Sequence, residues 1–266
     1  QLRRVLPEAT RSNTLLIHSP GTPSETLKQL QAMIADADES KAQDGDGKAD
    51  IGIFGPSWAR DELAIRQCRV KPEDRGQPEK ECRFTVDPAE SGLTVHFPGP
   101  LTGDVELVID YSGKINDNMA GFYRSKYTYQ GETRFIAVTQ FEESDARRAF
   151  PCMDHPAKKA TFDIEIDIDT QLVAISNGAV KKEDRLDNGK KRITFEQTPR
   201  MSTYLVFFGV GEFEFTQDEK DSRVRVATLP GMKKYARFGA AFGRKSLEFS
   251  ENYYAIPYPL PKMDLI

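Results

Sequence analysis

A strict alternation of apolar and polar residues runs through residues 161–169, TFDIEIDID. In an extended chain successive side chains point to opposite faces, so the two kinds of residue separate completely. A helix, which repeats every 3.6 residues, would mix them on its faces. The segment therefore predicts an antiparallel strand with one buried face and one wet face, with Thr161 and the four acidic residues in water. The residues on the predicted buried face are Phe162, Ile164, Ile166 and Ile168.

Short segments of similar character extend from about residue 68 to residue 228. Turn-forming pairs such as Asp87-Pro88 and Asn177-Gly178 separate them. Many short strands at close spacing predict a mostly β protein, either a β-sandwich or a curved sheet of antiparallel strands. The predicted strands are 83–86, 93–97, 104–111, 134–140, 172–176, 192–196, 203–209, 212–216 and 223–227. Within the segment 104–111, the residues predicted to point inward are Val105, Leu107, Ile109 and Tyr111.

The hydrophobic period changes after residue 231. Aromatic residues then recur close to one helical face, which predicts a helix over most of 232–255. The prolines of residues 256–261, IPYPLP, forbid its continuation. The aromatic residues that share this face are Tyr235, Phe238, Phe242, Phe249 and Tyr253.

The chain is therefore divided into three parts. Residues 1–67 are atypical, with a predicted strand at 15–18, a helix opened by Ser24 as its N-cap, and a polar loop at 42–50. Residues 68–228 form the antiparallel β domain. Residues 229–266 hold the helix and the proline-rich segment.

Composition and charge exclude several classes of function. A hydrophobic fraction of 38% supports a real core, and the net charge of −4 without clustered Lys or Arg argues against a nucleic-acid partner. No run approaches the roughly 18 apolar residues of a membrane helix, and no segment matches a secretory signal. Of the three cysteines, Cys68 and Cys82 could pair across a hairpin, but a cytoplasmic protein with reduced thiols is favoured.

Two neighbouring motifs point to a known family: residues 139–142, TQFE, and residues 145–156, DARRAFPCMDHP. They resemble the TQFE…DARRAFPCFDEP signature of the zinc aminopeptidases of the puromycin-sensitive aminopeptidase and aminopeptidase N type. Further segments resemble the same family in the same order, so that the likeness covers roughly residues 81–266. These segments are residues 109–113, 119–127, 201–205 and 256–262.

The resemblance implies a saddle-like β domain that carries a substrate clamp. In the family, the glutamate of TQFE holds the free α-amino group of a peptide, which assigns that role to Glu142. Gln140, on the same side by strand period, is similar to the residue that lines the first substrate side-chain pocket. Without the motif, Glu142 would be taken for a surface glutamate, and a polar strand end is an equally good interpretation of Gln140.

The charged residues around the clamp have a structural interpretation. They resemble a framework of ion pairs and hydrogen bonds that fixes the loop beneath Glu142. Cys152 is predicted to be a quiet core thiol, and His155 stands where the family commonly has glutamate. The framework residues are Asp145, Arg147, Arg148 and Asp154.

The catalytic motif of the family, H-E-x-x-H, is absent. The three histidines, His18, His96 and His155, have no such spacing, so we expect no catalytic residue and no metal ligand in this chain. In family members, the zinc helix follows the segment that ends here at Ile266. The resemblance thus implies zinc and a peptide substrate with a free N-terminus for a full-length enzyme, and an inactive chain by itself.

Two other functions remain open. The first is a non-catalytic binding or scaffolding module derived from the same family. The second, an epoxide hydrolase branch of the superfamily, is disfavoured because that branch has glutamine where this chain has Glu142. The coding sequence after Ile266 would separate the enzyme from the module.

Overall fold

The computed structural model of the chain describes residues 50–54, 63–72, 79–87, 92–97 and 105–266. Strands dominate these ranges and one long helix follows them, which confirms the mostly β fold that the sequence predicts. The predicted strand at 15–18, the helix opened by Ser24 and all but the last residue of the loop at 42–50 lie outside the described residues.

The elements follow one another in a simple order. The strands are β1 (Asp50–Phe54), β2 (Leu63–Pro72), β3 (Lys80–Glu81), β4 (Arg83–Asp87), β5 (Gly92–His96), β6 (Val105–Gly113), β7 (Gly121–Tyr129), β8 (Glu132–Gln140), β9 (Glu165–Asp169), β10 (Val173–Ser176), β11 (Val180–Arg185), β12 (Lys190–Phe195), β13 (Phe208–Gly211), β14 (Glu214–Gln217), β15 (Val224–Thr228) and β16 (Met263–Leu265). The helix α1 is Ala236–Tyr254, and 3-10 turns occupy Ala146–Arg148, Asp187–Gly189, Thr203–Leu205 and Lys233–Tyr235.

Five small sheets arise from the described strands, in the orders β1-β5-β4, β3-β2-β6, β10-β13-β8-β7, β11-β12-β9 and β14-β15-β16. Every pairing is antiparallel except that of β15 with β16. In the four-stranded sheet, β8 lies between β7 and β13 and is bonded on both sides. Its last residues before Gln140 are buried, so the end of β8 leaves the sheet from a fixed position.

The strand predicted from the alternation is shorter than expected. Strand β9 begins only at Glu165, and Thr161, predicted to face water, is buried. The reason is a neighbouring segment: Ala160 bridges with Met201, and the backbone N–H of Phe162 donates to the Thr198 hydroxyl at 2.9 Å. That segment lies alongside the start of the alternation, so its outer face is not free to meet water.

In strand β6 the predicted inward residues Leu107, Ile109 and Tyr111 pack against apolar clusters, and Val108 between them is buried as well. One other strand prediction needs correction. The segment 203–209 is not a continuous strand: Thr203–Leu205 forms a 3-10 turn before β13. In this turn the Thr203 hydroxyl donates to Oδ1 of Asp154, which lies 49 residues earlier in the chain.

Helix α1 turns its aromatic face outward. Its inward face is made of small residues and one leucine, which lets it lie close to the sheet of β14, β15 and β16. The inward residues are Ala236, Ala240, Gly243 and Leu247. Large aromatic side chains stand on the opposite side, with Phe238 79% exposed and Tyr253 71% exposed. The shared face that the sequence predicts is therefore a surface of the described structure.

We expect Gly211→Ala to destabilise the fold. A Cβ on Gly211 would lie 3.0 Å from Cβ of Ile136 on β8 and closer still to Cγ2 of that side chain. Overpacking of this kind costs about 1–3 kcal/mol. The control is Gly239→Ala in α1, where the added carbon meets only Val226 at 3.5 Å and the helix gains up to about 1 kcal/mol. Urea unfolding of both variants measures the difference, and an unchanged Gly211→Ala would refute the close approach.

Candidate functional site

The end of β8 presents Gln140 and Glu142 on one side of the chain. Both side chains are exposed, whereas Phe141 between them is 1% exposed; β8 ends at Gln140, and a turn begins at Glu142. The backbone N–H of Glu142 donates to Oε1 of Gln140 at 3.2 Å, which ties the two residues together. The peptide bond between Glu142 and Glu143 is cis.

Phe141 anchors this exposed pair to the core. Its ring makes edge contacts with Phe150 at 5.8 Å and with Phe208 at 6.0 Å between centroids. It belongs to a buried cluster that also contains Ala146 and Phe162. A side chain held by several ring contacts in a packed interior has little freedom, so the backbone on both sides of Phe141 is held as well.

A buried carboxylate fixes the turn that follows. Asp154, whose side chain is 1% exposed, accepts hydrogen bonds at Oδ2 from both the backbone N–H and Nε of Arg147, each at 3.1 Å. Its Oδ1 accepts a hydrogen bond from the Thr203 hydroxyl at 2.6 Å. The guanidinium of Arg147 also donates to the Asp154 carbonyl at 3.0 Å. The predicted structural role of Arg147 and Asp154 is thus visible as direct contacts.

The other two framework residues close the turn against β7. The backbone N–H of Asp145 donates to the Phe141 carbonyl at 3.0 Å, and Nη1 of Arg148 lies 3.4 Å from Oδ1 of Asp145. Arg148 packs over Gly121, which pairs with Gln140 across the sheet. A Cβ at Gly121 would lie 2.9 Å from that of Arg148, and its φ of +70° also favours glycine.

Sequence reasoning missed two residues that support the site. Thr203 and Gly121 lie within the matching segments 201–205 and 119–127, but neither received a role there. The likeness of those two segments to the aminopeptidase family was the one sign in the sequence that these residues matter. Only the folded chain shows that both meet the turn after β8.

The group of this site that can bind a ligand is the carboxylate of Glu142. Within the part of the chain that the structure describes, the Glu142 side chain has no ion-pair partner, so it is open to a cation from outside. Glu143 and Ser144 beside it are also exposed. A carboxylate in this position can accept charge-assisted hydrogen bonds from an ammonium group.

Within the described part of the chain, the remaining candidate residues do not assemble into a second site. Among the described residues, no three His, Cys, Asp or Glu side chains are grouped so that they could hold a metal ion. His155 is exposed, and its Nδ1 accepts a hydrogen bond from the N–H of Ala157 at 3.2 Å. Burial, with the nearby Asp154 carboxylate, raises the pKa of the Cys152 thiol well above its usual value, which agrees with a quiet core thiol. His18 lies outside the described residues.

The described residues include no helix long and apolar enough to cross a membrane.

Comparison with known proteins gives a consistent result. Residues 59–205 match the peptidase M1 N-terminal domain. The chain is 45% identical over 208 residues to aminopeptidase M1-B of Oryza sativa subsp. japonica, a match that covers 77% of this chain and 23% of that protein. It is 46% identical over 169 residues to the alanine/arginine aminopeptidase of Saccharomyces cerevisiae, with 62% of this chain and 20% of the relative covered. The chain therefore spans about a fifth of the length of the curated relatives it matches.

We expect Asp154→Asn to destabilise the chain by about 2–3 kcal/mol, because an amide cannot accept all the hydrogen bonds from Arg147 and Thr203. The control is Asp145→Asn, whose longer and more exposed contact with Arg148 should be worth less than about 1 kcal/mol. Denaturant unfolding of both variants tests the difference. Equal stabilities of the two variants would show that the buried carboxylate is not the anchor of the turn.

Proposed function

Because the chain belongs to the peptidase M1 family and carries its N-terminal domain, we propose that it is the part of a zinc aminopeptidase that clamps the free amino end of a peptide substrate. The observation that carries the proposal is the exposed Glu142 carboxylate at the end of β8, held in place by the buried Phe141. Its neighbours supply a rigid support, and no described cation neutralises it.

Glu142 would bind the substrate ammonium directly. A carboxylate and an ammonium form short, charge-assisted hydrogen bonds, which are stronger than those between neutral groups. An internal peptide bond offers no ammonium group, so only a chain end would be held there. A fixed clamp would then place the first peptide bond at a constant distance from it and set cleavage to one residue at a time.

Gln140 would contribute to the pocket for the first side chain of the substrate. It is exposed on the same side as Glu142, two residues earlier in the chain. Its Oε1 accepts the hydrogen bond from the Glu142 N–H, so the direction of its side chain depends on the clamp residue. This coupling supports a joint role for the two residues in orienting the amino end of the substrate.

The proposal assigns zinc to the complete enzyme and not to this chain. In such an enzyme the metal would activate a water molecule for attack on the peptide bond. The described residues do not fit a metal, since they contain no suitable group of three ligands. No step of the reaction is therefore assigned to side chains of this chain, whose part is to bind and orient.

We further propose that residues 68–228 act as the clamp-bearing β domain, with residues 1–67 contributing an atypical part of it. Residues 229–266 would open the next domain. The aromatic face of α1 supports this division, because several exposed aromatic side chains on one face are typical of a docking surface. We place the protein in the cytoplasm, and we assign it no nucleic-acid or membrane partner.

A non-catalytic binding or scaffolding module is the second candidate. The same exposed aromatic face favours it, since such a face could hold a separate partner protein. The sequence that the gene encodes after Ile266 distinguishes the two functions. An H-E-x-x-H motif there supports the aminopeptidase, and a stop codon supports the module.

In the complete protein, we expect Glu142→Ala to lower kcat/KM on peptides with a free amine on the order of 30-fold or more. Loss of a charge-assisted contact in a partly desolvated site costs about 2–5 kcal/mol. Glu142→Gln should be milder, because an amide oxygen still accepts a hydrogen bond. The matched control is Glu143→Ala, which removes the adjacent exposed glutamate and should keep normal kinetics.

Steady-state kinetics with free and N-acetylated peptides, together with thermal melts, complete this test. Acetylated peptides should be poor substrates already and lose little more with Glu142→Ala. Melting temperatures should stay the same, because an exposed carboxylate without a described partner contributes little to stability. Wild-type kcat/KM in Glu142→Ala, or an equal loss in Glu143→Ala, would return Glu142 to the status of a surface residue.

The 266-residue chain alone should be inactive, since no catalytic motif is found in its sequence. Purified chain incubated with a set of fluorogenic aminoacyl amides, with and without added zinc, provides the measurement. Turnover that depends on zinc and elutes together with this polypeptide would contradict the expectation.

A further inference from the structure

Two of the three cysteines stand opposite each other, Cys68 on β2 and Cys82 directly after β3. Strand β2 pairs with β3 in the register Arg69 to Glu81 and Val70 to Lys80, so the next opposed residues are Cys68 and Cys82. The backbone N–H of Cys82 donates to the Cys68 carbonyl at 2.8 Å, which extends the ladder to this pair. The sequence left open whether these two residues meet, and the fold places them side by side.

Both side chains point into one apolar cluster. Cys68 is 1% exposed and Cys82 is 4% exposed, and both belong to the core that contains Val95 and Phe97. Directly opposed residues of antiparallel strands have Cα atoms about 4.5–5.5 Å apart. Disulfides span Cα separations of about 4.4–6.8 Å, so the backbone need not move far to accept a bond between the two sulfurs.

The two thiols differ in their surroundings. Burial, together with the neighbouring Cys82 sulfur, raises the pKa of Cys68 to about 12. Burial also raises the pKa of Cys82, but hydrogen bonds from the Cys68 side chain and the Val70 backbone act in the opposite direction. The thiolate is the reactive form, so burial disfavours reaction at both cysteines, and the hydrogen bonds at Cys82 offset part of this effect.

Cys82 is also the easier of the two to reach. It lines a surface depression of about 650 Å³ together with Glu81, Arg83 and His96. Strand β3 beside it has two residues, both exposed, and lies at the edge of its sheet. A short edge strand opens locally at little cost in free energy, and this opening would uncover Cys82.

We propose that Cys68 and Cys82 form a dithiol site that small disulfide oxidants of the glutathione disulfide class convert into an intramolecular disulfide. The Cys82 thiolate attacks one sulfur of the oxidant, forms a mixed disulfide and releases one thiolate of the oxidant. The Cys68 thiolate then attacks Sγ of Cys82 and releases the second. Two protein thiols lose their protons and are oxidised, and one glutathione disulfide is reduced to two glutathione molecules.

The bond would join β3 covalently to β2. It would close a loop of 15 residues, from 68 to 82, and a closed loop of this length restricts the unfolded chain. Oxidation would therefore hold the edge strand in place. The proposal does not depend on the clamp, because Cys68 and Cys82 belong to a different apolar cluster from Phe141.

The test incubates the reduced 266-residue chain with glutathione disulfide in mildly alkaline buffer, followed by alkylation, intact mass measurement and peptide mapping. We expect the chain to lose two hydrogen atoms and to yield a peptide linked through Cys68 and Cys82. Cys152→Ala should behave in the same way, because the buried Cys152 is the one remaining cysteine of the sequence. This variant is the matched control for loss of a thiol.

Single variants test the order of attack. Cys68→Ala should accumulate glutathione on Cys82 faster than Cys82→Ala does on Cys68, because Cys82 lines the surface depression beside the edge strand. Circular dichroism confirms that each variant is folded. The proposal is overturned if native chain keeps all thiols, if the link includes Cys152 or a second chain, or if stable mixed disulfides form without closing the bond.

Discussion

The buried carboxylate of Asp154 is the interaction on which the exposed end of β8 depends. A carboxylate at 1% exposure is tolerated only when its oxygens are satisfied by hydrogen bonds, and here Arg147 and Thr203 satisfy them. Through these contacts Asp154 joins the turn after β8 to a segment that enters β13, which pairs with β8 itself. The turn after β8 and the segment that enters β13 are therefore joined to each other as well as to β8. The exposed Glu142 carboxylate thus lies on a part of the chain with little freedom to move.

The apolar residues of the described chain are divided between buried clusters and one exposed face. The sheets bury separate clusters, whereas α1 packs through small residues and leaves its aromatic side chains outside. Stacked rings on that face, Phe238 with Phe242 and Phe249 with Tyr253, cover each other only in part.

The local sequence pattern predicted most strands and the helix correctly, but it predicted the residues at which they begin and end less accurately. The alternation of apolar and polar residues predicted most of the strands, and the change to a helical repeat predicted α1. The errors fall where side chains from distant segments intervene. Thr161 is buried beside the segment that contains Thr198, and Thr203 turns toward Asp154 from a stretch that looks extended in sequence. No local pattern encodes such contacts, because the partners lie about 36 and 49 residues away along the chain.

The sequence alone determined the mostly β fold, the helix near its end and the exposure of Gln140 and Glu142 on one side of Phe141, because alternation and motif are local properties. Tertiary structure decided what these residues meet: which oxygen each donor finds on Asp154, that Gly121 lies under Arg148, and that Cys68 stands opposite Cys82. Strand register sets these meetings, and it follows from packing over the whole domain. Packing also explains why the aromatic face of α1 points outward, since three small residues and Leu247 fit against the sheet of β14 to β16.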